Sequence, residues 1–299
     1  MNIRALRYFL AVVNEGSYSK AAELLHITQP SISRQVMELE AELGEMLLIR
    51  EPRGIKLTQQ GRFLKQRAEE ILELVDKTRE EFRTLGGTLT GSVTIGGGET
   101  LAVEELAKVL SAVRAEYPDI HFHLTSGNAE DVVERLEKGL LDFALVIEPF
   151  DTSPYESLRI PYTDVWGLLM PEDAPLAAKR SITKEDLIGL PLMCSRQAMY
   201  SPRMGNAFQA WFGDTLERLN IVGTFNLIFN AALMVRHGLG YAIGLDKLLS
   251  HSEAGSGLVF RPFEPALTAE SHLIWKRSQI FSPASVYVLN QFKRTFSSN

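Results

Sequence analysis

The sequence is poor in cysteine and in long apolar runs. Cys194 is the single cysteine among 299 residues, so the chain can form neither an internal disulfide nor a cysteine-based zinc site. The apolar run from Tyr8 to Val13 is too short for the core of a signal peptide. The longest stretch without a charged residue, from Leu219 to Val235, contains three asparagines and is too polar for a membrane span. These absences predict a protein of a reducing compartment, the cytoplasm.

Charge is unevenly distributed along the chain. The formal net charge is −6, which by itself argues weakly against nucleic acid as a partner. Residues 1–90, however, hold 13 of the 31 basic and 13 of the 37 acidic side chains, so this segment is neutral. The other 18 basic and 24 acidic side chains place the whole deficit in residues 91–299. The N-terminal segment therefore remains a candidate for DNA binding.

Residues 1–58 predict three short helices followed by a small β-hairpin. An apolar stripe that starts at Ile3 and stops before Gly16 indicates the first helix. Ser19 is predicted to cap the second helix, and Thr28 the third. Only His26-Ile27 separate the second helix from the third, which is the spacing of a helix-turn-helix.

The third helix begins with polar side chains that could reach base edges in a DNA major groove. A basic Pro/Gly turn between Ile49 and Leu57 then predicts a β-wing that contacts phosphates or the minor groove. A solvated face on a small helical bundle would explain any one of these residues taken alone. Their ordered combination favours DNA binding. The predicted DNA-binding residues are Gln29, Pro30, Ser31, Ser33, Arg34, Arg50, Arg53 and Lys56.

The order of these motifs resembles that of the LysR-type transcriptional regulators, over the full length of the chain. Leu48 departs from the family pattern, which usually has phenylalanine there, and this changes the packing under the wing. The resemblance implies a winged helix-turn-helix, a linker helix that pairs two DNA-binding heads, and a tetramer. It also implies a two-lobed α/β effector domain similar to periplasmic solute-binding proteins. The motifs that carry the resemblance are Phe9, Ser17-Tyr18-Ser19-Lys20-Ala21-Ala22-Glu23-Leu24-Leu25, Thr28-Gln29-Pro30-Ser31-Ile32-Ser33-Arg34-Gln35, Leu39-Glu40, Leu43-Gly44 and Leu57-Thr58-Gln59-Gln60-Gly61.

A long linker helix is predicted from Gln59 to Leu85, because this stretch has no proline and its apolar positions alternate at spacings of four and three. Residues 59–88 would then form a linker and hinge that ends in Gly86-Gly87. One small domain cannot bury so long a seam, so we expect the same helix of a second chain to cover it. The alternative is packing against its own chain. The predicted seam residues are Leu64, Ala68, Ile71, Val75, Thr78, Phe82 and Leu85.

Residues 89–299 alternate apolar strands with helices and contain a weak internal repeat. Val93-Thr94-Ile95 leads into one helix, and Leu192-Met193-Cys194 leads into its counterpart. Each half therefore predicts an α/β lobe with a largely parallel sheet. We expect crossings between the lobes near Ile160-Pro161-Tyr162 and near Thr268 to Ser271. The first lobe would comprise about 89–160 and 268–299, including a last helix at Pro283 to Phe296, and the second about 161–267.

Ligands of such sheets bind outside the carboxyl ends of the strands, beside helix N-termini. Thr100, Ser195 and Arg196 favour a small carboxylate at that edge, whereas Glu99 and Glu148 favour an amine. An amino-acid-like effector would satisfy both sets of charges. Serines and asparagines at these positions could instead only cap the next helix. The predicted effector-binding residues are Gly98, Glu99, Thr100, Ser126, Asn128, Glu148, Ser195, Arg196, Gln197, Phe225 and Asn226.

These features predict a DNA-binding transcriptional regulator controlled by a small molecule. The alternative is a solute-binding protein of transport type, but the predicted DNA-binding head argues against it. An enzyme is not expected, because the sequence has neither a phosphate-loop lysine nor a Gly-x-Ser-x-Gly elbow. No metal is expected either, since His121 and His123 alternate on one strand without a third ligand nearby. Cys194 is interpreted as a core residue of an apolar strand.

Overall fold

The computed structural model describes residues 1–51, 54–83, 89–200, 207–248 and 257–296, with the side chains of residues 50, 80–83, 197 and 200 outside that description. The chain divides into two compact units, Met1–Arg83 and Thr84–Asn299. The described part of the predicted linker helix thus belongs to the first unit. None of the described helices combines the length and the apolar composition that a membrane span requires.

The first unit is a helical bundle with a two-stranded hairpin, as predicted. Gly16 and Gly44 end the first and third helices in the left-handed conformation, with φ of 61° and 72°. This conformation explains why glycine stands at both positions. The elements are α1 (Ile3–Glu15), α2 (Tyr18–Leu24), α3 (Gln29–Leu43), β1 (Leu48–Glu51), β2 (Gly54–Leu57) and α4 (Gln59–Arg83).

The second helix is capped by a different serine from the one predicted. Ser17 is the N-cap of α2, and its hydroxyl accepts a hydrogen bond from the backbone N–H of Lys20 at 3.5 Å. The prediction of Ser19 was wrong because Gly16 already turns the chain, which leaves one extended residue before the helix. Thr28 occupies the N-cap position of α3, but its side chain makes no capping hydrogen bond.

The start of α4 completes the core of the first unit. Leu64, Ala68 and Leu72 are buried together with Phe9 and Val12 of α1. The prediction that Leu64 and Ala68 face a partner chain was therefore wrong, because their own chain covers them. The physical reason is that a bundle of three short helices has little apolar surface to bury, and α4 supplies more of it.

Among the described residues, the part of the predicted seam after Ala68 is less covered by its own chain than Leu64 and Ala68 are. Ile71 is partly buried against the same core, Val75 is half-buried and Thr78 is exposed. The side chain of Phe82 and all of Leu85 lie outside the described residues.

The second unit contains two sheets that share one long strand. In each sheet a central strand lies between two parallel neighbours: β3 between β4 and β5, and β7 between β8 and β9. The predicted internal repeat is therefore real at the level of topology. The strands of this unit are β3 (Gly91–Gly97), β4 (Ile120–Ser126), β5 (Phe143–Ile147), β6 (Glu156–Pro171), β7 (Pro191–Ser195), β8 (Asn220–Phe225), β9 (Tyr241–Leu245), β10 (Leu258–Pro262) and β11 (Thr268–Trp275).

The shared strand is β6, which carries the chain from the first lobe into the second. It pairs with β11 as far as Val165, and from Trp166 onward with β9. The first crossing therefore lies at Val165–Trp166, later than the predicted Ile160-Pro161-Tyr162. Pro161 lies inside β6, at the point where the β6–β11 register shifts. Proline has no backbone N–H to donate to a neighbouring strand, and such an irregularity tolerates it. On the return, β10 pairs with β6 as far as Pro262 and β11 from Thr268 onward, so the second crossing lies between these two residues.

Helices cover both sheets and surround apolar cores. The last helix coincides with its prediction and packs with α5 against β3 and β5 of the first lobe. Cys194 lies fully buried in the core of the second lobe, which confirms its interpretation, and burial raises the pKa of its thiol to about 12. His121 and His123 are exposed on β4. The helices are α5 (Ala102–Glu116), α6 (Ala129–Glu137), α7 (Arg196–Tyr200), α8 (Ala207–Phe212), α9 (Ile228–Arg236) and α10 (Pro283–Phe296).

Candidate functional site

The exposed start of α3 is the candidate DNA-binding surface. Pro30, Ser31 and Arg34 are exposed, and Gln29 is half-buried. Ser33, however, is only 7% exposed, so the prediction that it faces solvent was wrong. It precedes Val36 by one helical turn and shares the buried side of the helix.

The acidic residues of α3 have two different roles. Glu38 accepts hydrogen bonds from Arg34 Nε at 2.9 Å and from Gln35 Nε2 at 2.7 Å. Glu40 accepts from the backbone N–H groups of Leu47 and Leu48, at 2.7 and 3.1 Å. Glu40 therefore holds the segment that enters the wing, a structural role that the sequence pattern did not reveal.

The predicted wing is present as an antiparallel hairpin in which Ile49 pairs with Lys56 and Glu51 with Gly54. Lys56 is exposed, and its Nζ lies 3.6 Å from a carboxylate oxygen of Glu51. Arg53 and the side chain of Arg50 lie outside the described residues. Their contact with phosphates stays a prediction.

A cavity opens between the two lobes of the second unit, where strands of both sheets end. It contains about 580 Å³ of free space, counting its open mouth. Seven of the predicted effector-binding residues line it: Gly98, Glu99, Asn128, Glu148, Ser195, Phe225 and Asn226. The sequence prediction missed eight lining residues, which are mostly apolar: Ile147, Pro149, Trp166, Ala198, Ile228, Gly244, Leu245 and Leu248.

Some of the missed residues could have been found from the sequence, and others could not. Ile147 and Leu245 end predicted strands, so their place at the sheet edge could have been inferred. Trp166 lies where β6 crosses between the lobes, and only the tertiary structure identifies that point. These side chains give the cavity an apolar wall.

Glu99 bridges the two lobes across this cavity. Its Oε2 accepts a hydrogen bond from the backbone N–H of Ile228, at 2.5 Å. Ile228 is the first residue of α9, so the carboxylate lies at the positive end of that helix. The chain's own carboxylate thus occupies a position that suits an anion.

Two polar residues of the cavity also act locally. Asn128 Oδ1 accepts from the N–H of Asp131 at 3.0 Å and caps α6. Ser195 Oγ lies 3.5 Å from the N–H of Ala198. Helix capping and exposure to the cavity therefore coexist at these positions.

The structure does not bring the other predicted effector residues to the cavity. Thr100 is 4% exposed, and its hydroxyl donates to Asp164 Oδ2 at 2.6 Å and accepts from the N–H of Ala102 at 3.0 Å. Ser126 at the end of β4 and Arg196 are both exposed, and neither lines the cavity. The side chain of Gln197 lies outside the described residues.

Asp164 is a buried carboxyl group beside the first crossing. Its side chain is inaccessible to solvent, and this burial raises its pKa to about 6, although the hydrogen bond from Thr100 acts in the opposite direction. On the second lobe's side, Asp246 accepts from the N–H of Val165 at 2.9 Å. The hydrogen bond from Thr100 to Asp164 links the loop that carries Glu99 to the crossing strand β6, and the sequence prediction missed it.

Comparisons with known proteins agree with this architecture. A family model described as the LysR substrate binding domain matches residues 86–297. A second, described as a bacterial regulatory helix-turn-helix protein of the lysR family, matches residues 3–62. Together the two models span both units of the chain.

Curated relatives and solved structures give the same result. The chain is 30% identical to the Hca operon transcriptional activator HcaR of Escherichia coli K12 over 281 residues, 94% of this chain and 93% of that protein. It is 31% identical to the nitrogen assimilation regulatory protein nac of the same organism over 247 residues, 81% of this chain and 78% of that protein. The full-length CbnR crystal structure with its target DNA has a TM-score of 0.76 at 21% identity, covering 99% of this chain and 100% of that one, which shows the shared fold. The chain belongs to the LysR family: it is a LysR-type transcriptional regulator with a helix-turn-helix DNA-binding domain and an effector-binding domain.

Proposed function

We propose that this regulator reads its operator with the start of α3 and the wing, and that a small molecule held between its lobes controls it. The observation that carries the proposal is the open cavity lined by both lobes, in a chain whose other unit exposes a polar recognition helix. The sequence predicts a small carboxylate or an amino-acid-like compound, and the acidic lining of the cavity favours a compound that carries an ammonium group. A DNA operator as the partner also supports the cytoplasm as the site of action.

The proposed mechanism is a shift between lobe arrangements. The cavity wall includes Asn128 and Glu148 from the first lobe and Phe225 and Asn226 from the second. A ligand that contacts both walls favours the arrangement in which these walls match it best. Coupling to DNA then requires that the favoured arrangement differ in operator affinity.

DNase footprinting on promoter DNA from the neighbourhood of the gene tests DNA reading, at physiological salt and with the full-length protein. We expect a protected operator, because the exposed side chains of α3 suit a major groove. Absence of any protected site would contradict the proposal. Footprints repeated with a panel of small acids and amino acids test control by an effector, which should change the affinity or the length of protection.

We also propose that α4 pairs with the same helix of a second chain, with a tetramer as the larger assembly. The support comes from apolar side chains that the chain leaves uncovered: Phe63 is 63% exposed and Leu74 is 42% exposed. Both lie on α4, Leu74 next to the half-buried Val75 and Phe63 about three helical turns before Leu74. The proposed contact face is therefore displaced from Leu64 and Ala68, which their own chain buries.

Leu74→Glu tests the proposed pairing of α4. A carboxylate in an apolar helix contact loses its hydration without a partner, so we expect the dimer to dissociate at least tenfold more readily, about 1.4 kcal/mol. Sedimentation equilibrium measures this directly. Gln66→Glu is the matched control, because it adds the same charge at an exposed position of the same helix. An unchanged dimer in the Leu74→Glu protein would exclude this contact face.

A further inference from the structure

We propose that the cavity between the lobes selects an effector that carries a protonated amine on an apolar body, and disfavours a carboxylate of the same size. This inference rests on the proposed function, because it names the ligand class of that same cavity. It makes Glu99 and Glu148 the residues that determine effector charge.

The lining of the cavity is acidic. Glu99 and Glu148 both line it, and no lysine, arginine or histidine lines it among the described residues. Arg196, the cation expected there, is exposed and does not line the cavity. Arg159 Nε and Nη2 donate to the two carboxylate oxygens of Glu270 at 2.7 and 2.6 Å. This cation also interacts electrostatically with Glu148, but it does not itself line the cavity. The described charges of the lining therefore attract a cation.

One position in the cavity that would suit a ligand carboxylate, the start of α9, is already occupied by Glu99. Backbone N–H groups at a helix N-terminus are a common anchor for an anion. Here the N–H of Ile228, at the start of α9, donates to Glu99 Oε2 at 2.5 Å. A ligand carboxylate would have to displace Glu99 from this donor and then lie beside it, with repulsion between like charges.

An ammonium group, in contrast, finds acceptors without breaking these contacts. Glu99 uses Oε2 for Ile228, and Glu148 uses Oε2 for the backbone N–H of Glu270 at 3.1 Å. An ionised carboxylate has about four acceptor positions on its two oxygens, so both groups retain capacity for the three donors of an ammonium. Hydrogen bonds between opposite charges are among the stronger ones in proteins.

The remaining wall suits the apolar part of such a ligand. Trp166, Phe225, Leu245 and Leu248 line the cavity together with Ile147. Burial of methylene or ring groups against these side chains stabilises the complex. The aromatic faces of Trp166 and Phe225 add attraction for a nearby cation.

The direct test is calorimetric titration of the full-length protein with ligands matched in length and different in charge. Pentylamine, hexanoate and 6-aminohexanoate form one such set, and phenethylamine with hydrocinnamate a second. We expect binding of the amines and at least tenfold weaker binding of the matched carboxylates. Tighter binding of the carboxylates would overturn the proposal, as would the absence of amine binding up to about 10 mM, the range of weak fragment-sized ligands.

Charge-neutral variants identify the residues. Glu99→Gln keeps an oxygen for Ile228 and removes the charge, and Glu148→Gln does the same for the contact with Glu270. We expect each variant to bind amines at least fivefold more weakly and carboxylates more tightly. Glu217→Gln is the matched control, since it removes one negative charge at an exposed position outside the cavity lining. An equal loss of amine affinity in the Glu217→Gln control would show that net charge alone causes the effect. Unchanged amine affinity in both cavity variants would refute the proposed role of Glu99 and Glu148.

Operator binding, measured on the same samples by fluorescence anisotropy, separates the two proposals. If operator DNA is bound and carboxylates are the tighter ligands, only the amine inference fails. If no ligand of either charge binds the cavity or changes operator affinity, control by an effector fails with it.

Discussion

Arg34 lies on the exposed side of α3, where its guanidinium pairs with Glu38 one turn later. Its side chain is 78% exposed, and exposed pairs of this kind contribute about 0.2–1 kcal/mol. A bidentate contact between arginine and a guanine discriminates by about 1–3 kcal/mol. The contact with a base contributes more free energy than the exposed ion pair, so the ion pair with Glu38 does not prevent Arg34 from binding DNA.

Arg34→Ala should therefore reduce the preference for operator over unrelated DNA by about fivefold to 150-fold, the equivalent of about 1–3 kcal/mol. Fluorescence anisotropy with both DNAs at one salt concentration measures the ratio. Arg218→Ala removes the same charge from an exposed position of the second unit and should leave the ratio unchanged. An equal loss of affinity for both DNAs in the Arg34→Ala protein would assign Arg34 to a phosphate instead.

Asp164 supplies a second prediction at the residue scale. Because burial raises its folded-state pKa to about 6, above 3.8 for the unfolded chain, the folded protein binds this proton more tightly. The ionised form of Asp164 therefore destabilises the folded protein above pH 6, by about 3 kcal/mol for a shift of this size. This cost is relieved as the pH falls from about 6 towards 4, so the group's contribution to stability rises in that window.

Asp164→Asn removes this titration. We expect the stability of wild type relative to Asp164→Asn to increase between pH 7 and pH 4.5, by about 2 kcal/mol. Urea unfolding of both proteins at the two pH values provides the difference, in which titrating groups that do not interact with Asp164 cancel. Parallel stability curves for the two proteins would show that Asp164 keeps an ordinary pKa.

At the scale of elements, the start of α4 is fixed against the segment that enters the wing. Thr58 donates from its backbone N–H to the carbonyl of Leu47 at 3.0 Å and from its hydroxyl to the carbonyl of Met46 at 2.7 Å. Thr58 Oγ1 also accepts from the N–H of Gly61 at 2.8 Å. A Cβ at Gly61 would lie 2.1 Å from the carbonyl oxygen of Leu47, so this close approach requires glycine.

Gly61→Ala should lower the free energy of unfolding of the first unit by about 1–3 kcal/mol or more, because the added methyl group meets backbone that cannot move aside. Thermal unfolding followed by circular dichroism measures the change. Gln60→Ala, at the exposed neighbouring position, should have little effect. A Gly61→Ala protein as stable as wild type would show that α4 and this segment can separate at low cost.

At the scale of the whole molecule, the two units have separate apolar cores. Phe9, Ile32 and Leu64 belong to the core of the first, and Phe143 and Phe292 to a core of the second. Side chains in different cores that share no contacts contribute independently to stability. We expect differential scanning calorimetry to resolve two transitions. Gly61→Ala should lower only one of them, and Asp164→Asn should shift only the other; a single transition moved by both substitutions would contradict this independence.

Features that depend on neighbours in sequence were predicted well. The glycines that end α1 and α3, the wing, and α10 at Pro283–Phe296 all follow from local rules of helix ends, turns and apolar period. Several predictions failed where a second element decides the outcome. The α4 period correctly indicated an apolar face, but packing on α1 decided which residues their own chain covers.

The sequence by itself determined the main elements and the family, because both depend on local periodicity and on motifs of fixed spacing. Only the tertiary structure decided the chemistry of the cavity. It joined Glu99 to Ile228 and Thr100 to Asp164, pairs that lie 129 and 64 residues apart in sequence. It also removed Arg196 from the lining and added Trp166. Such contacts depend on how β6 crosses between the lobes, and no local pattern of residues encodes that geometry.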